Sequence, residues 1–363
     1  MTTTDIGMPL NGLHSIPHLP DDAGKQTKRD FTSDQEVRWC PGCGDYVILA
    51  AVQSFLPGLG LKRENIVFVS GIGCSSRFPY YLDTYGMHTV HGRAPSFATG
   101  LKLSRPELMV WVVTGDGDAL AIGGNHFIHA MRRNMDLKIL LFNNRIYGLT
   151  KGQVSPTSEL GKKTKTTPHG SPDYPFNPPA LALGAGATFV ARSIDVEGPH
   201  LGVVLKGAAE HKGSALVEVF QNCPVFNDGA YNFLTDKAVK AETQLRMEHG
   251  KPLLFGKDGR KGIRFDGRTA SLQVVAVGEG GVTEADILVH DAHREDPTLA
   301  FMLANLDLTP GFPTPVGIFR DVRRPTADEL TWKLIDEAKA KVSGKGPQDV
   351  RAFLSTGDTW KVE

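Results

Sequence analysis

Over its first two thirds the chain alternates short apolar runs with stretches in which apolar residues recur at helical spacing. Leu108–Val113 is apolar throughout and Leu137–Phe142 nearly so. Runs of this length, bounded by glycine, asparagine or aspartate, read as strands buried on both faces. Ile66–Val69, Thr188–Ile194 and Ala215–Phe220 read the same way. Between them the pattern predicts helices at Asp45–Leu56, Ala94–Leu103, Asn125–Met135, Pro178–Ala187 and Leu201–His211. Strands alternating with helices predict an α/β fold built on a doubly wound, mostly parallel sheet. Two stretches break the rhythm. Arg145–Phe176 is a long polar loop, and a loop of that length inside a compact domain is usually functional. After Cys223 the elements become short and charged, with one clear strand at Ser271–Val277 and one amphipathic helix at Asp328–Val342. The expected organisation is an N-terminal arm (1–34), a main α/β domain (35–224), a further region (225–310) and a C-terminal extension (311–363). The last two are read as a cap or subunit-contact region.

Charge excludes some partners. The 363 residues carry 40 basic and 40 acidic side chains, which gives no reason to expect nucleic acid or an anionic membrane. No apolar stretch approaches the roughly 20 residues needed to span a bilayer. The N-terminus has no apolar leader core, so a cytoplasmic location is expected. In that reducing setting the four cysteines, Cys40, Cys43, Cys74 and Cys223, point to metal or catalysis rather than structural disulfides.

The most explicit chemistry lies between residues 115 and 144. The first apolar strand ends in Thr114-Gly115-Asp116-Gly117, a turn whose glycines let backbone amides approach a phosphate. The next strand delivers Asn143 and Asn144 at its carboxyl end. The Asp116 carboxylate and the Asn144 amide oxygen therefore converge at the sheet edge where ligands bind. Hard oxygens with room for phosphate suit Mg²⁺, and the carbonyl of Ile146 is a natural third ligand. The amides of Gly117 and Asp118 face the phosphates at the helix start. Gly-Asp-Gly alone is a turn found in any doubly wound protein; the paired asparagines at the next strand tip favour a cofactor.

Cys40 and Cys43 form a tight knuckle, Cys74 sits on the glycine turn after Ile66–Val69, and Cys223 follows Ala215–Phe220. Four such ligands make a structural zinc site or an iron–sulfur cluster. Their spread, with Cys74 at the same sheet edge as the Gly115–Gly117 turn, favours the cluster; zinc, a disulfide or unrelated thiols stay open.

Gly115-Asp116-Gly117 followed by Asn143-Asn144 resembles the diphosphate motif of thiamine diphosphate enzymes. A longer series runs in order: Cys-Pro-Gly-Cys-Gly at 40–44, Gly-Ile-Gly-Cys-Ser-Ser at 71–76, His91-Gly92-Arg93, the diphosphate motif, and Tyr147-Gly148-Leu149-Thr150-Lys151-Gly152-Gln153 leading to Ser155-Pro156-Thr157. Over residues 35–300 this resembles the β subunit of 2-oxoacid:ferredoxin oxidoreductases, above all the 2-oxoglutarate type (2-oxoglutarate synthase). The resemblance implies thiamine diphosphate, Mg²⁺ and one 4Fe–4S cluster. It places Asp116, Asn144 and Ile146 on the metal, and Cys40, Cys43, Cys74 and Cys223 on the cluster. Around the thiamine cofactor it places Gly73, Cys74, Ser75, His91, Gly115, Asp116, Gly117, Asp118, Asn144, Ile146, Gly148 and Leu149. Arg77, three residues after the third cluster cysteine, stands where the family chooses its 2-oxo acid, and a guanidinium there suits a distal carboxylate. Lysine is frequent at this position, so Arg77 keeps the charge and changes the reach. Leu149 and Lys151 line the same substrate pocket by resemblance, and Arg77, His91 and Lys151 are the expected catalytic residues. The plain alternatives are a surface ion pair for Arg77 and a structural role for His91. His126 and His129 share a helix face but lack a third ligand. Lys162, Lys163 and Lys165 read as a solvated loop or as a dock for an acidic partner.

The implied reaction is coenzyme A-dependent oxidative decarboxylation of 2-oxoglutarate to succinyl-CoA and CO₂, with electrons leaving through the cluster to ferredoxin. Thiamine enzymes bind their cofactor between two related domains, and this chain resembles the diphosphate half. An α subunit, in an α₂β₂ complex, is expected to supply the other half and the activating glutamate. The alternatives are a pyruvate or branched-chain 2-oxo acid oxidoreductase, against which a buried Arg77 argues, and a cluster-free thiamine decarboxylase with zinc on the cysteines.

Overall fold

The computed structural model describes residues 12–342 together with 358, 360 and 362. Residues 1–11 of the expected N-terminal arm and residues 343–357, 359, 361 and 363 of the C-terminal extension lie outside the described residues. Strands β1 (Ile66–Ser70), β2 (Tyr85–His88), β3 (Met109–Gly115), β4 (Lys138–Asn143), β5 (Phe189–Ile194) and β6 (Ala215–Phe220) run parallel in the spatial order β2-β1-β3-β4-β6-β5. All but β2 are buried nearly from end to end. The pleat explains why these runs had to be apolar on both faces. Val110, Val112, Ile139 and Leu141 enter one core, while Trp111, Val113, Leu140 and Phe142 enter the other. Helices α1 (Asp45–Phe55) and α6 (Gly198–Glu210) close the second core; α2 (Ala94–Ser104), α4 (Gly124–Arg132) and α5 (Pro178–Gly184) close the first, with the short α3 (Asp116–Leu120) between β3 and α4. The doubly wound, mostly parallel α/β sheet expected from the sequence is present.

The chain leaves β1 toward β2 on one side and resumes at β3 on the other. That reversal opens a crevice at the carboxyl ends of β1 and β3, the place where open α/β sheets bind ligands. Residues 145–176 form neither helix nor strand.

Beyond Cys223 come two single turns, α7 (Asn232–Thr235) and α8 (Lys240–Thr243), and strand β7 (Gln244–Met247). A small antiparallel sheet follows, made of β8 (Leu254–Phe255), β9 (Lys261–Asp266) and β10 (Ser271–Ala276). After α9 (Thr298–Ala304), strand β11 (Thr314–Asp321) enters the main sheet antiparallel to β5 and parallel to β7. The main sheet thus takes one strand from residues 225–310 and another from 311–363. Pro315, Gly317 and a register shift between Ile318 and Arg320 explain why β11 does not read as a strand. A Cβ at Gly317 would stand 2.4 Å from the Met247 carbonyl oxygen, so β7 can approach only because that position is glycine.

Helix α10 (Ala327–Val342) is fastened near the opposite edge of the sheet from the crevice. Asp328 accepts from the Asp136 amide at 3.1 Å, and Trp332 Nε1 donates to the Leu103 carbonyl at 3.0 Å. The buried Asp136 carboxylate meets Lys138 at 2.8 Å, Lys102 at 3.0 Å and Lys212 at 3.2 Å. Burial alone would push this carboxyl up; the three ammonium groups outweigh it and hold Asp136 well below the usual carboxylate range. Among the described residues no helix is long and apolar enough to cross a membrane.

Candidate cofactor and active site

Four neighbouring strands, β1, β3, β4 and β6, end on one edge. Their tips deliver Gly71–Cys74, Gly115–Asp118, Asn144–Gly148 and Gln221–Cys223 around a cavity of about 460 Å³. Gly73, Cys74, Ser75, His91, Gly115, Asp116, Gly117, Asp118, Asn144, Ile146, Gly148 and Leu149 all line it. Asp45, Ile72, Tyr147, Gln153 and Gln221 line it too, and sequence reasoning missed them.

Asp116 is 2% exposed. Burial pushes its carboxyl up to about 6, against the hydroxyls of Ser155 and Thr157, which favour the charged form. Asn144 Oδ1 accepts from the Ile146 amide at 3.1 Å, so the amide oxygen and the Ile146 carbonyl belong to one tight turn. Asp118 does something its motif does not announce. Its Oδ1 accepts from the amides of Ile72 at 3.0 Å and Gly92 at 2.7 Å, and its Oδ2 from Thr114 Oγ1 at 2.7 Å. His91 Nδ1 stands 2.8 Å from the same Oδ1. One buried carboxylate therefore ties three loops together, with His91 Nδ1 beside it but not hydrogen-bonded to it. Gly117 has a second reason besides phosphate approach: a Cβ there would lie 2.2 Å from the Tyr147 ring.

The cysteines assemble through backbone ties. The Cys43 amide bonds the Cys40 carbonyl at 3.0 Å, closing the knuckle, and the Gly44 amide bonds the Asn222 carbonyl at 3.1 Å, fixing the knuckle to the β6 tip. Trp39 Nε1 donates to the Cys74 carbonyl at 2.7 Å. Gly148 faces two sulfurs; a Cβ there would stand 3.5 Å from Cys74 Sγ and 3.6 Å from Cys223 Sγ. Burial, then the Asp45 carboxylate, then Cys223 push the Cys74 thiol up to about 12. Cys43 is raised further by burial, Asp45 and its cysteine neighbours. All four are free thiols. Among the described residues no three His, Cys, Asp or Glu side chains converge on one point as a single ion requires. The four cysteines lie on three loops, within electrostatic reach of one another.

Ser75 Oγ and Gln221 Oε1 are buried here without a partner, and the buried Asp45 carboxylate has no partner other than the Cys43 thiol. Burial, with a contribution from Asp195, raises Asp45 to about 7. Orphaned polar atoms at the wall of a cavity, beside a glycine cradle and hard oxygen donors, fit a polar cofactor with a bound cation.

Arg77 and Lys151 do not line the cavity. Arg77 is half-buried on the turn after Cys74, with Nε donating to the Tyr81 hydroxyl at 3.1 Å. Lys151 is exposed. His129 pairs with Arg132 at 3.3 Å, and the Lys162 ammonium meets the Asn227 side chain.

Residues 71–219 match the family model described as thiamine pyrophosphate enzyme, C-terminal TPP binding domain. The chain is 54% identical over 360 residues to the 2-oxoglutarate oxidoreductase subunit KorB of Mycobacterium tuberculosis, covering 99% of this chain and 95% of that one. It is 50% identical over 192 residues to the 2-oxoacid:ferredoxin oxidoreductase subunit beta of a Sulfolobus species, covering 52% of this chain and 63% of that one. Among solved structures it is similar to a chain of the 2-oxoglutarate:ferredoxin oxidoreductase from Magnetococcus marinus with 2-oxoglutarate, coenzyme A and succinyl-CoA bound. That match has a TM-score of 0.73 and 32% identity over 95% of this chain and 100% of the other. Identity above one half, sustained along nearly the whole of both chains, means that this chain belongs to the KorB family, the β subunits of 2-oxoglutarate oxidoreductases.

Proposed function

We propose that this chain is the β subunit of a cytoplasmic 2-oxoglutarate:ferredoxin oxidoreductase, works in an α₂β₂ complex and holds thiamine diphosphate, Mg²⁺ and one 4Fe–4S cluster. The net reaction turns 2-oxoglutarate and coenzyme A into succinyl-CoA, CO₂ and a proton, with two electrons passed singly to ferredoxin. The observation that carries this reading is the meeting of two donor sets at adjacent strand tips: Asp116 and Asn144 on β3 and β4, Cys74 and Cys223 on β1 and β6.

When bound, thiamine diphosphate supplies the nucleophilic carbon that adds to the keto group, and the cluster supplies a one-electron acceptor. The protein's contribution is placement. Asp116, Asn144 and the Ile146 carbonyl would hold the cation, and Cys40, Cys43, Cys74 and Cys223 would hold the cluster. Asp118 fixes the loops of Ile72 and Gly92 and stands beside His91 at the cavity wall. Arg77 and Lys151 are proposed to reach the distal carboxylate of 2-oxoglutarate. The bond from Arg77 to Tyr81, outside the cavity lining, is the observation that favours a smaller 2-oxo acid such as pyruvate.

The test is dye reduction by the complex, purified with its partner subunit without oxygen, given 2-oxoglutarate or pyruvate with and without coenzyme A. Reduction that needs both 2-oxoglutarate and coenzyme A is expected. Preference for pyruvate would remove the 2-oxoglutarate assignment, and a preparation with zinc and no iron would remove the cluster.

A further inference from the structure

The loop after Asn144 does more than cover the site. Ser155 Oγ donates to Asp116 Oδ2 at 2.5 Å, and Thr157 Oγ1 lies 2.6 Å from the same oxygen. Both hydroxyls are buried. They come from 39 and 41 residues further along the chain. Thr157 Oγ1 also lies 2.9 Å from Asn143 Oδ1, so one hydroxyl touches both halves of the diphosphate motif. Asn143 in turn donates to Glu218 at 2.7 Å, and Glu218 accepts from Arg192 at 2.6 Å, which carries the network into the core. The loop is knotted at this same point. The Ser155 amide donates to Ser158 Oγ at 2.8 Å, and Ser158 Oγ to the Arg145 carbonyl at 2.7 Å. Arg145 pairs with Glu159 at 2.9 Å. The far end returns as well: the Phe176 amide bonds the Pro156 carbonyl at 2.8 Å. Both ends of the 145–176 loop therefore meet at the residues that grip Asp116.

We propose that Ser155 and Thr157 are positioning residues that hold Asp116 in its cation-binding orientation and make ordering of the 145–176 loop and binding of the cation with its diphosphate mutually dependent. This rests on the assignment of Asp116 as a cation ligand. Groups that hydrogen-bond a ligating carboxylate fix its orientation, and their loss typically weakens metal binding about 10–100-fold. Coupling of this kind is reciprocal, so the cation must also steady the loop.

The experiment uses the complex purified with its partner subunit, stripped of metal and thiamine. Mn²⁺ replaces Mg²⁺ so that binding is read directly by EPR, in the presence of thiamine diphosphate. Ser155→Ala and Thr157→Val are expected to weaken Mn²⁺ binding by about 10–100-fold, while Thr157→Ser stays near the wild type because it keeps the hydroxyl. Limited proteolysis gives the second readout. Cation and thiamine diphosphate are expected to slow cleavage in the loop of the wild type and to lose that effect in Thr157→Val, a near-isosteric change that keeps the fold. Unchanged Mn²⁺ affinity in both variants, with thiamine still bound, would overturn the positioning role of Ser155 and Thr157 and leave the cofactor site standing. No cation-dependent thiamine binding in the wild type would overturn both. A Thr157→Ser variant as weak as Thr157→Val would assign the effect to packing and overturn the proposal.

Discussion

Replacing Gly117 by alanine tests why a glycine stands there. The φ of Gly117 is ordinary, so backbone freedom is not the reason. A Cβ would lie 2.2 Å from Tyr147 Cε1 and 2.6 Å from Cζ, where carbon atoms in contact stand about 3.5–4.0 Å apart. The ring must retreat by about 1 Å or more, and its hydroxyl then loses the 3.0 Å bond to the Gly117 carbonyl. Overpacking of this kind costs about 1–3 kcal/mol and the hydrogen bond about 1 kcal/mol more. The sum, about 2–4 kcal/mol, corresponds to a roughly 30- to 1000-fold loss if it falls on thiamine diphosphate affinity. Because Gly117 also faces the expected diphosphate, a single variant cannot separate ring from phosphate. A double-mutant cycle with Tyr147→Ala does. Equilibrium dialysis of thiamine diphosphate and thermal unfolding would be measured for all four proteins. The expected result is a coupling of about 1–3 kcal/mol, with Gly117→Ala much milder once the ring is gone. Equal losses in both backgrounds would refute the steric argument and leave phosphate approach as the reason for glycine.

Three other outcomes are expected. Asp136→Asn leaves three lysines, two of them fully buried, around a neutral amide and should destabilise the protein by about 3–5 kcal/mol in urea unfolding. The folded Asp136 carboxyl lies below its unfolded value of about 3.9. Its contribution is therefore complete above that pH and lost as pH falls through the folded value; a variant with an unchanged acid limb would contradict this. Gln221→Leu removes an N–H that stands 3.3 Å from Cys43 Sγ. A donor to a ligand sulfur stabilises the more negative, reduced cluster, so the midpoint potential should become more negative in an EPR-monitored titration, and an identical potential would remove that role. Arg77→Ala should raise KM for 2-oxoglutarate far more than KM for pyruvate; a parallel change in both would assign Arg77 to structure.

How much was legible in the sequence depended on where the cause of each feature lies. Strands β3 and β4 announce themselves because both of their faces are buried, which forces unbroken apolar runs. Strand β11 hides behind Pro315 and Gly317, tolerated only because β7 and β5 complete its hydrogen bonding from distant segments. Asp116 and Asn144 are legible because each ends a strand beside a glycine or a second asparagine. Asp45 is not: two residues past Cys43 it reads as an ordinary acid at a helix start. Its burial is a tertiary fact, and nothing local signals it. The same holds for Ser155 and Thr157, polar residues in a polar loop until the fold sets them against Asp116. Asp118 was read through its amide at the phosphates, whereas its carboxylate proves to be the tie between the β1 tip, the His91 loop and Thr114.

The central claim is that the 2-oxo acid chemistry and the cysteine cluster share one edge of this chain. The most direct measurement is EPR of the oxygen-free complex, frozen after one equivalent of 2-oxoglutarate and coenzyme A. The expected result is a reduced 4Fe–4S signal that Cys74→Ser in this chain abolishes and that pyruvate does not produce. A cluster signal that survives Cys74→Ser, or no iron bound by this chain, would contradict the account.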